Sequence, residues 1–185
     1  MIPRYSVLVK PVGSEYNNIE KVGDVELLVN TSIEDVDYVN RLGEVVSSPD
    51  NNLQKGDIVV VHHNVFRMYY DMKGDKRRSN EYFRDGMYLI PKERVYLYKR
   101  KDAWEAYNEY SFIAPTEYIQ DKNLHRSDQK EEEHVGVVRY SKKFKPGTKI
   151  GFSKNSEYKI VVDGEKLYRM RDKDICIKFN EKSFK

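Results

Sequence analysis

The chain has 185 residues, a third of them charged, yet its net charge is only +3 because acidic and basic side chains are interleaved. That pattern excludes the one-sided basic excess of a dedicated nucleic-acid binder. A single cysteine excludes an intrachain disulfide, and no apolar run approaches the ~18 residues that span a bilayer as a helix.

Val7, Leu8 and Val9 predict an opening strand that ends at Lys10-Pro11. Residues 12–42 form a long, mostly acidic connection with one apolar island, Val25-Glu26-Leu27-Leu28-Val29, and a cap at Thr31 or Ser32 predicts a short helix over residues 33–39. A strand restarts at Gly43. After the turn Ser47-Ser48-Pro49-Asp50-Asn51-Asn52, the run Gly56-Asp57-Ile58-Val59-Val60-Val61 predicts a strand buried on both faces. Residues 66–84 mix aromatic and basic side chains and predict a long loop or hairpin excursion. Strands follow at Met87 to Ile90 and Val95 to Tyr98. The charged segment 101–109 reads as a linker in which Ala103-Trp104-Glu105-Ala106-Tyr107 makes one helical turn. In the second half, residues 120–134 read as a loop and Val162-Asp163-Gly164-Glu165 as a hairpin turn.

The pattern is written twice. Gly43-Glu44-Val45-Val46, Lys55-Gly56-Asp57-Ile58 and Tyr88-Leu89-Ile90-Pro91-Lys92-Glu93-Arg94-Val95 return as Gly136-Val137-Val138, Pro146-Gly147-Thr148-Lys149-Ile150 and Tyr168-Arg169-Met170-Arg171-Asp172-Lys173-Asp174-Ile175. The entry strands echo each other as Tyr5-Ser6-Val7-Leu8-Val9 and Tyr110-Ser111-Phe112-Ile113-Ala114. The expected fold is all-β with little helix: two tandem small barrels over residues 1–100 and 110–185, joined by the linker 101–109. Fifteen tyrosines suit half-buried β surfaces and interfaces.

The order Val7-Leu8-Val9-Lys10, Gly43-Glu44-Val45, Gly56-Asp57-Ile58-Val59 and Leu89-Ile90-Pro91-Lys92-Glu93-Arg94-Val95 resembles GroES-type co-chaperonins over residues 5–99, and more loosely over residues 110–179. The tyrosine-rich style, with His62-His63-Asn64-Val65-Phe66 after the strand, looks like the divergent members encoded by bacteriophages. The segments between Gly43 and Gly56 and between Gly136 and Gly147 are shorter than the family's roof hairpin. The resemblance implies a GroES-like barrel in a ring-forming homo-oligomer that caps an ATP-loaded chaperonin of the GroEL type and encloses a non-native substrate protein. A mobile loop would carry a docking tripeptide, here Leu27, Leu28 and Val29. The second repeat, with Tyr118, Ile119 and Leu124 alone in its loop, keeps the strand pattern and lacks such an arm. The address implied is the cytoplasm, that of the host cell for a phage-encoded chain.

Other readings stay open. Leu27 to Val29 would instead be an extra strand packed on its own barrel. The protein would be a phage structural or assembly protein that uses the barrel without binding a chaperonin, or a barrel that stacks single-stranded nucleic acid on residues 66–84. His62 and His63, adjacent on a strand end, point to opposite faces and do not chelate one ion. Cys176, between Ile175 and Ile177, reads as a packed small residue. No phosphate-binding loop, nucleophile elbow or dinucleotide turn is written in the chain, so no enzyme, cofactor, catalytic residue or metal site is expected.

Overall fold

The computed structural model describes residues 3–17, 19–28, 35–117 and 131–179. The protein is all-β: among the described residues the only helical turns are two 3-10 segments, Lys92–Arg94 and Asp172–Asp174. Two compact units divide the chain, Met1–Trp104 and Glu105–Lys185.

The first eleven strands are β1 (Ser6–Pro11), β2 (Ile19–Val22), β3 (Val25–Leu28), β4 (Leu42–Ser47), β5 (Ile58–Val61), β6 (Met68–Tyr70), β7 (Lys76–Arg78), β8 (Tyr82–Arg84), β9 (Met87–Pro91), β10 (Val95–Arg100) and β11 (Ala103–Ala106). Seven of them form one sheet in the order β11-β10-β5-β4-β1-β9-β8, while β2-β3 and β6-β7 are separate two-stranded ribbons. Alternation along β1, β4 and β9 turns Val7, Val9, Val45, Tyr88 and Ile90 inward, where they are fully buried. In β5, Val59, Val60 and Val61 are all buried, as a continuous β-branched run requires. Phe66 caps this core edge-on against Tyr88, with ring centroids 4.9 Å apart.

The second unit contains β12 (Tyr110–Glu117), β13 (Glu131–Tyr140), β14 (Lys149–Phe152), β15 (Tyr158–Val162), β16 (Glu165–Arg171) and β17 (Ile175–Lys178). They form one sheet ordered β15-β16-β12-β13-β14-β17 around a core of Ile113, Val138, Ile150, Phe152 and Met170. Read from its other end, this order reproduces β10-β5-β4-β1-β9-β8 strand for strand. The repeat therefore extends from sequence to topology. It reaches single hydrogen bonds as well. Gly56 N donates to Val45 O at 2.8 Å and Gly147 N to Val138 O at 2.8 Å; His62 N donates to Arg94 O and Ser153 N to Asp174 O, both at 2.9 Å. Each entry strand carries an irregularity at the same place, between Leu8 and Val9 and between Phe112 and Ile113.

Several expectations are corrected. The registers Ser6↔Pro91 and Tyr110↔Arg171 make Ser6, not Tyr5, the counterpart of Tyr110, so the entry strands align one residue away from their Tyr-Ser echo. A one-residue offset exchanges the faces of every side chain, and burial fixes which offset is adopted. Neither sheet closes on itself. β8 and β11 end the first and β15 and β17 the second, three of them as outer halves of tight hairpins whose far edges pair with no further strand among the described residues. Residues 103–106 are the strand β11, not a helical turn. Lys101 (φ 49°) and Asp102 (φ 64°) both take the left-handed conformation, the two-residue turn that folds a strand back, and pairing with β10 overrides the weak helix preference of Ala and Glu. Asp163 (φ 48°) and Gly164 (φ 81°) make the expected hairpin between β15 and β16 the same way. Residues 33–34 of the expected helix lie outside the described residues. Residues 35–39 form a turn, in which Asp37 N donates to Asp35 Oδ1 at 3.0 Å, and end in a bridge. Of the expected loop 120–134, residues 120–130 lie outside the described residues, while Glu131 to His134 already belong to β13.

Candidate functional site

The connection between β1 and β4 leaves the seven-stranded sheet through a hydrogen-bonded neck. Val12 N donates to Leu42 O at 2.9 Å, Asn40 N to Glu15 O at 3.0 Å and Asn17 N to Tyr38 O at 2.8 Å. Tyr16 and Val39 face each other across the bridge, and both are buried. The buried Asn40 amide locks the two limbs: Nδ2 donates to Val12 O at 2.8 Å and Ser14 O at 2.7 Å, while Oδ1 accepts from Leu42 N at 2.8 Å. The Tyr16 hydroxyl accepts from Met68 N at 2.8 Å, which ties the neck to β6. Buried polar groups with every partner supplied make a rigid root.

Beyond the neck, β2 and β3 form a ribbon with the register Ile19↔Leu28, Glu20↔Leu27, Lys21↔Glu26 and Val22↔Val25. Gly23 has φ 64° while Asp24 does not take a left-handed φ, as a two-residue turn with glycine in its first place requires. This ribbon belongs to neither large sheet. Four of its side chains face solvent: Ile19 is 56% exposed, Val25 58%, Leu27 48% and Leu28 58%. Of the sequence-predicted tripeptide, Leu27 and Leu28 lie on β3 and Val29 lies outside the described residues. Strand geometry places Leu27 and Leu28 on opposite faces, Leu28 across from Ile19 and Leu27 on the side of Val25. The alternative of a strand packed on its own barrel does not describe these leucines. Ile19 was not singled out by the sequence reading. The signal for it was Val22-Gly23-Asp24-Val25, a tight-turn dipeptide between β-branched residues.

Electrostatics also anchor the root. Glu15 accepts from the Tyr88 hydroxyl at 2.5 Å and from Arg78 Nε at 3.3 Å. Burial, reinforced by the Glu15 carboxylate, holds the Tyr88 phenol well above its ordinary pKa, so it stays a donor throughout the neutral range.

The other residues weighed from the sequence are not assembled into a site. Of the cations in the 66–84 excursion, Arg77 pairs with Asp71 at 2.9 Å and Asp75 at 3.3 Å, and Arg78 pairs with Glu15. These pairs offset the charge of two of the segment's cations. His62 and His63 do not point to opposite faces. The chain turns as it leaves β5, with Val65 N donating to His62 O at 2.9 Å, and brings the two rings to 4.1 Å at 33°. Among the described residues no group of three or more His, Cys, Asp or Glu side chains converges as a metal site would. Cys176 is exposed rather than packed, because Ile175 takes the inward place on the edge strand β17; its sulfur lies 3.1 Å from Ser153 Oγ. No helix among the described residues is long and apolar enough to cross a membrane. Compared with protein-family models and with curated proteins, the chain matches none.

Proposed function

We propose that this protein is a co-chaperonin of the GroES type, built from two tandem GroES-like units, that caps an ATP-loaded chaperonin and assists the folding of non-native proteins. One observation carries the reading: an apolar ribbon, exposed on both faces, stands on a rigid neck between the first strand and the Gly43 strand, where the resemblance places the docking loop. Supporting it is the doubled strand order, which goes with the doubled motif order in the sequence.

The ribbon acts as the docking arm, with Leu27 and Leu28 as anchors and Val25 and Ile19 beside them. Burying one Leu or Ile side chain is worth about 1.5–3 kcal/mol, and association itself costs ~4 kcal/mol or more, so a single arm binds weakly. A ring of identical chains multiplies these contacts by effective concentration and stays releasable. Timing comes from the partner's ATP hydrolysis. Because the leucines face opposite ways, an apical groove gripping one face meets Leu28 with Ile19, and a groove gripping the other meets Leu27 with Val25.

The test is size-exclusion chromatography of the protein with a GroEL-type chaperonin, with and without ATP. Nucleotide-dependent co-elution, lost in the Leu27→Ser/Leu28→Ser double variant, is expected. Absence of co-elution under both conditions, with the protein itself eluting as an oligomer, would point instead to a structural or assembly role. Co-elution that survives the double variant would remove the ribbon from the mechanism.

A further inference from the structure

Of the strands that end the two sheets, β17 is the one that is not half of a tight hairpin, and the internal repeat shows what sets it apart. Its counterpart is β10. Each follows a 3-10 turn, and each is irregular just after it starts: the pairing passes from Val95 to Leu97 over Tyr96, and from Ile175 to Ile177 over Cys176. β10 has β5 on one side and β11 on the other, and Val95, Tyr96, Leu97 and Tyr98 are all buried. β17 has β14 on one side and no strand on the other among the described residues. Cys176, Ile177 and Lys178 are exposed, Ile177 by 53% where Leu97 is fully buried. The same strand is sealed in the first unit and open in the second.

An open edge is a template for another strand, and natural sheets often blunt it with a bulge or a lysine. Neither device closes this one. β10 carries the same irregularity and still takes β11 beside it. Lys178 is matched by Asp174 at the other end of the strand, and neither has an ion-pair partner among the described residues. The run Asp174-Ile175-Cys176-Ile177-Lys178 reads acid, apolar, cysteine, apolar, base. Laid antiparallel against a copy of itself about Cys176, it is its own complement. Asp174 then meets the partner's Lys178 at both ends, Ile175 meets the partner's Ile177 twice, and the two cysteines face each other. Opposite charges directly across such a pair are favourable and like charges are not. The exposed Ile177 is thereby placed beside the partner's Ile175, a residue that packs against the core of its own unit. A surface complementary to itself makes the contact of a two-fold dimer.

We propose that β17 is an interface between two copies of this chain, which pair edge to edge and antiparallel about Cys176 and join two six-stranded sheets into one. It owes nothing to the chaperonin reading, since the interface shares no residue with the β2–β3 ribbon.

The experiment uses the full chain alone: sedimentation velocity over a range of protein concentrations under reducing conditions, and thiol oxidation with diamide. Association that grows with concentration is expected, and charge variants assign it to β17. Asp174→Lys and Lys178→Asp each set like charges opposite one another at both ends and should weaken association about tenfold or more. The double variant exchanges the partners and should return to within about threefold of the parent. Facing residues of an antiparallel pair have Cα atoms about 4.5–5.5 Å apart, inside the ~4.4–6.8 Å that a disulfide spans. Diamide should therefore give a covalent dimer joined Cys176 to Cys176, in a yield that drops in each single variant and recovers in the double one. A chain that stays monomeric, or association and cross-linking untouched by both single variants, overturns the proposal. A dimer that forms only after residues 180–185 are removed overturns it too, and assigns the edge to the chain's own end.

Discussion

Tyr88 and Tyr168 occupy the same place in the two units, and each donates its phenolic hydrogen to a glutamate. Tyr88 lies across from Val9 and Tyr168 across from Ile113, the same rung of the same strand pair. The bonds are 2.5 Å to Glu15 and 2.6 Å to Glu131. The glutamates are not counterparts: Glu15 follows β1 on the outgoing limb, whereas Glu131 opens β13 on the returning limb. The interaction is repeated while the residue supplying its acceptor is not. Burial raises both phenols above their ordinary value, more so for Tyr88.

Tyr88→Phe should destabilise the first unit by about 1.5–3 kcal/mol, the worth of a hydrogen bond to a charged group that is then left partly unmet. Tyr168→Phe should cost less, because Glu131 keeps Lys166 at 2.6 Å and its surroundings are wetter. Urea unfolding of the two variants, at unchanged slope, checks the order.

Stability should fall in acid through three carboxylates. Burial opposes the charge of Asp57, but the two-pronged Arg100 contact (2.9 and 2.6 Å) and the Gln54 amide outweigh it and hold its pKa below the ordinary 3.8. Burial also opposes Glu131, where Lys166 and Tyr168 prevail; Glu132 is lowered mainly by its bond from Lys149. All three are depressed in the folded state, so their contribution is complete above the ordinary values of 3.8 for Asp and 4.5 for Glu and is lost as pH falls through the lowered ones. Thermal unfolding between pH 6 and pH 2 should show this decline (~pH 4 downward), and Asp57→Asn should flatten part of it.

Gly136→Ala should be more damaging than Gly43→Ala, although the two glycines are counterparts. A Cβ on Gly136 would meet the side chain of Ile113 and the backbone oxygen of Ala114 at 2.7 Å, and the latter cannot step aside. On Gly43 it would meet Phe66 Cζ at 3.1 Å and Lys10 O at 3.2 Å, a crowding that small shifts relieve. A loss of about 1–3 kcal/mol at Gly136, and less at Gly43, is expected from denaturant midpoints.

Serine at Leu27 and Leu28 should leave the melting transition of the first unit within about 0.5 kcal/mol of the parent, since neither side chain joins the core. Solubility should rise. A large loss of stability would mean that the leucines pack on the unit after all.

Much of this architecture was legible in the sequence wherever local chemistry decides it. Gly43, Gly56 and their counterparts Gly136 and Gly147 mark the strand starts, and the buried run at Val59 to Val61 needs no partner to be recognised. What could not be read is what distant pairing decides. The Tyr-Ser echo of the entry strands misled by one residue because register is set by β9 and β16, strands that lie far downstream in the chain. Alanine and glutamate at residues 103–106 suggested helix, yet a left-handed pair of residues turned them into an edge strand. Ile19 escaped notice because it sits alone among polar neighbours until β2 meets β3.

The neck has a consequence for engineering and for evolution. Because Asn17 N reaches Tyr38 O at 2.8 Å, the segment between them begins and ends at nearly one point in space. It is therefore a cassette: its length and composition can change without moving the register of β1 against β4. Loop-closure entropy grows slowly, by about 0.6 kcal/mol per doubling of length. Arms of different reach and chemistry can thus be exchanged on an unaltered scaffold, and recognition can diversify while the sheet beneath it stays the same.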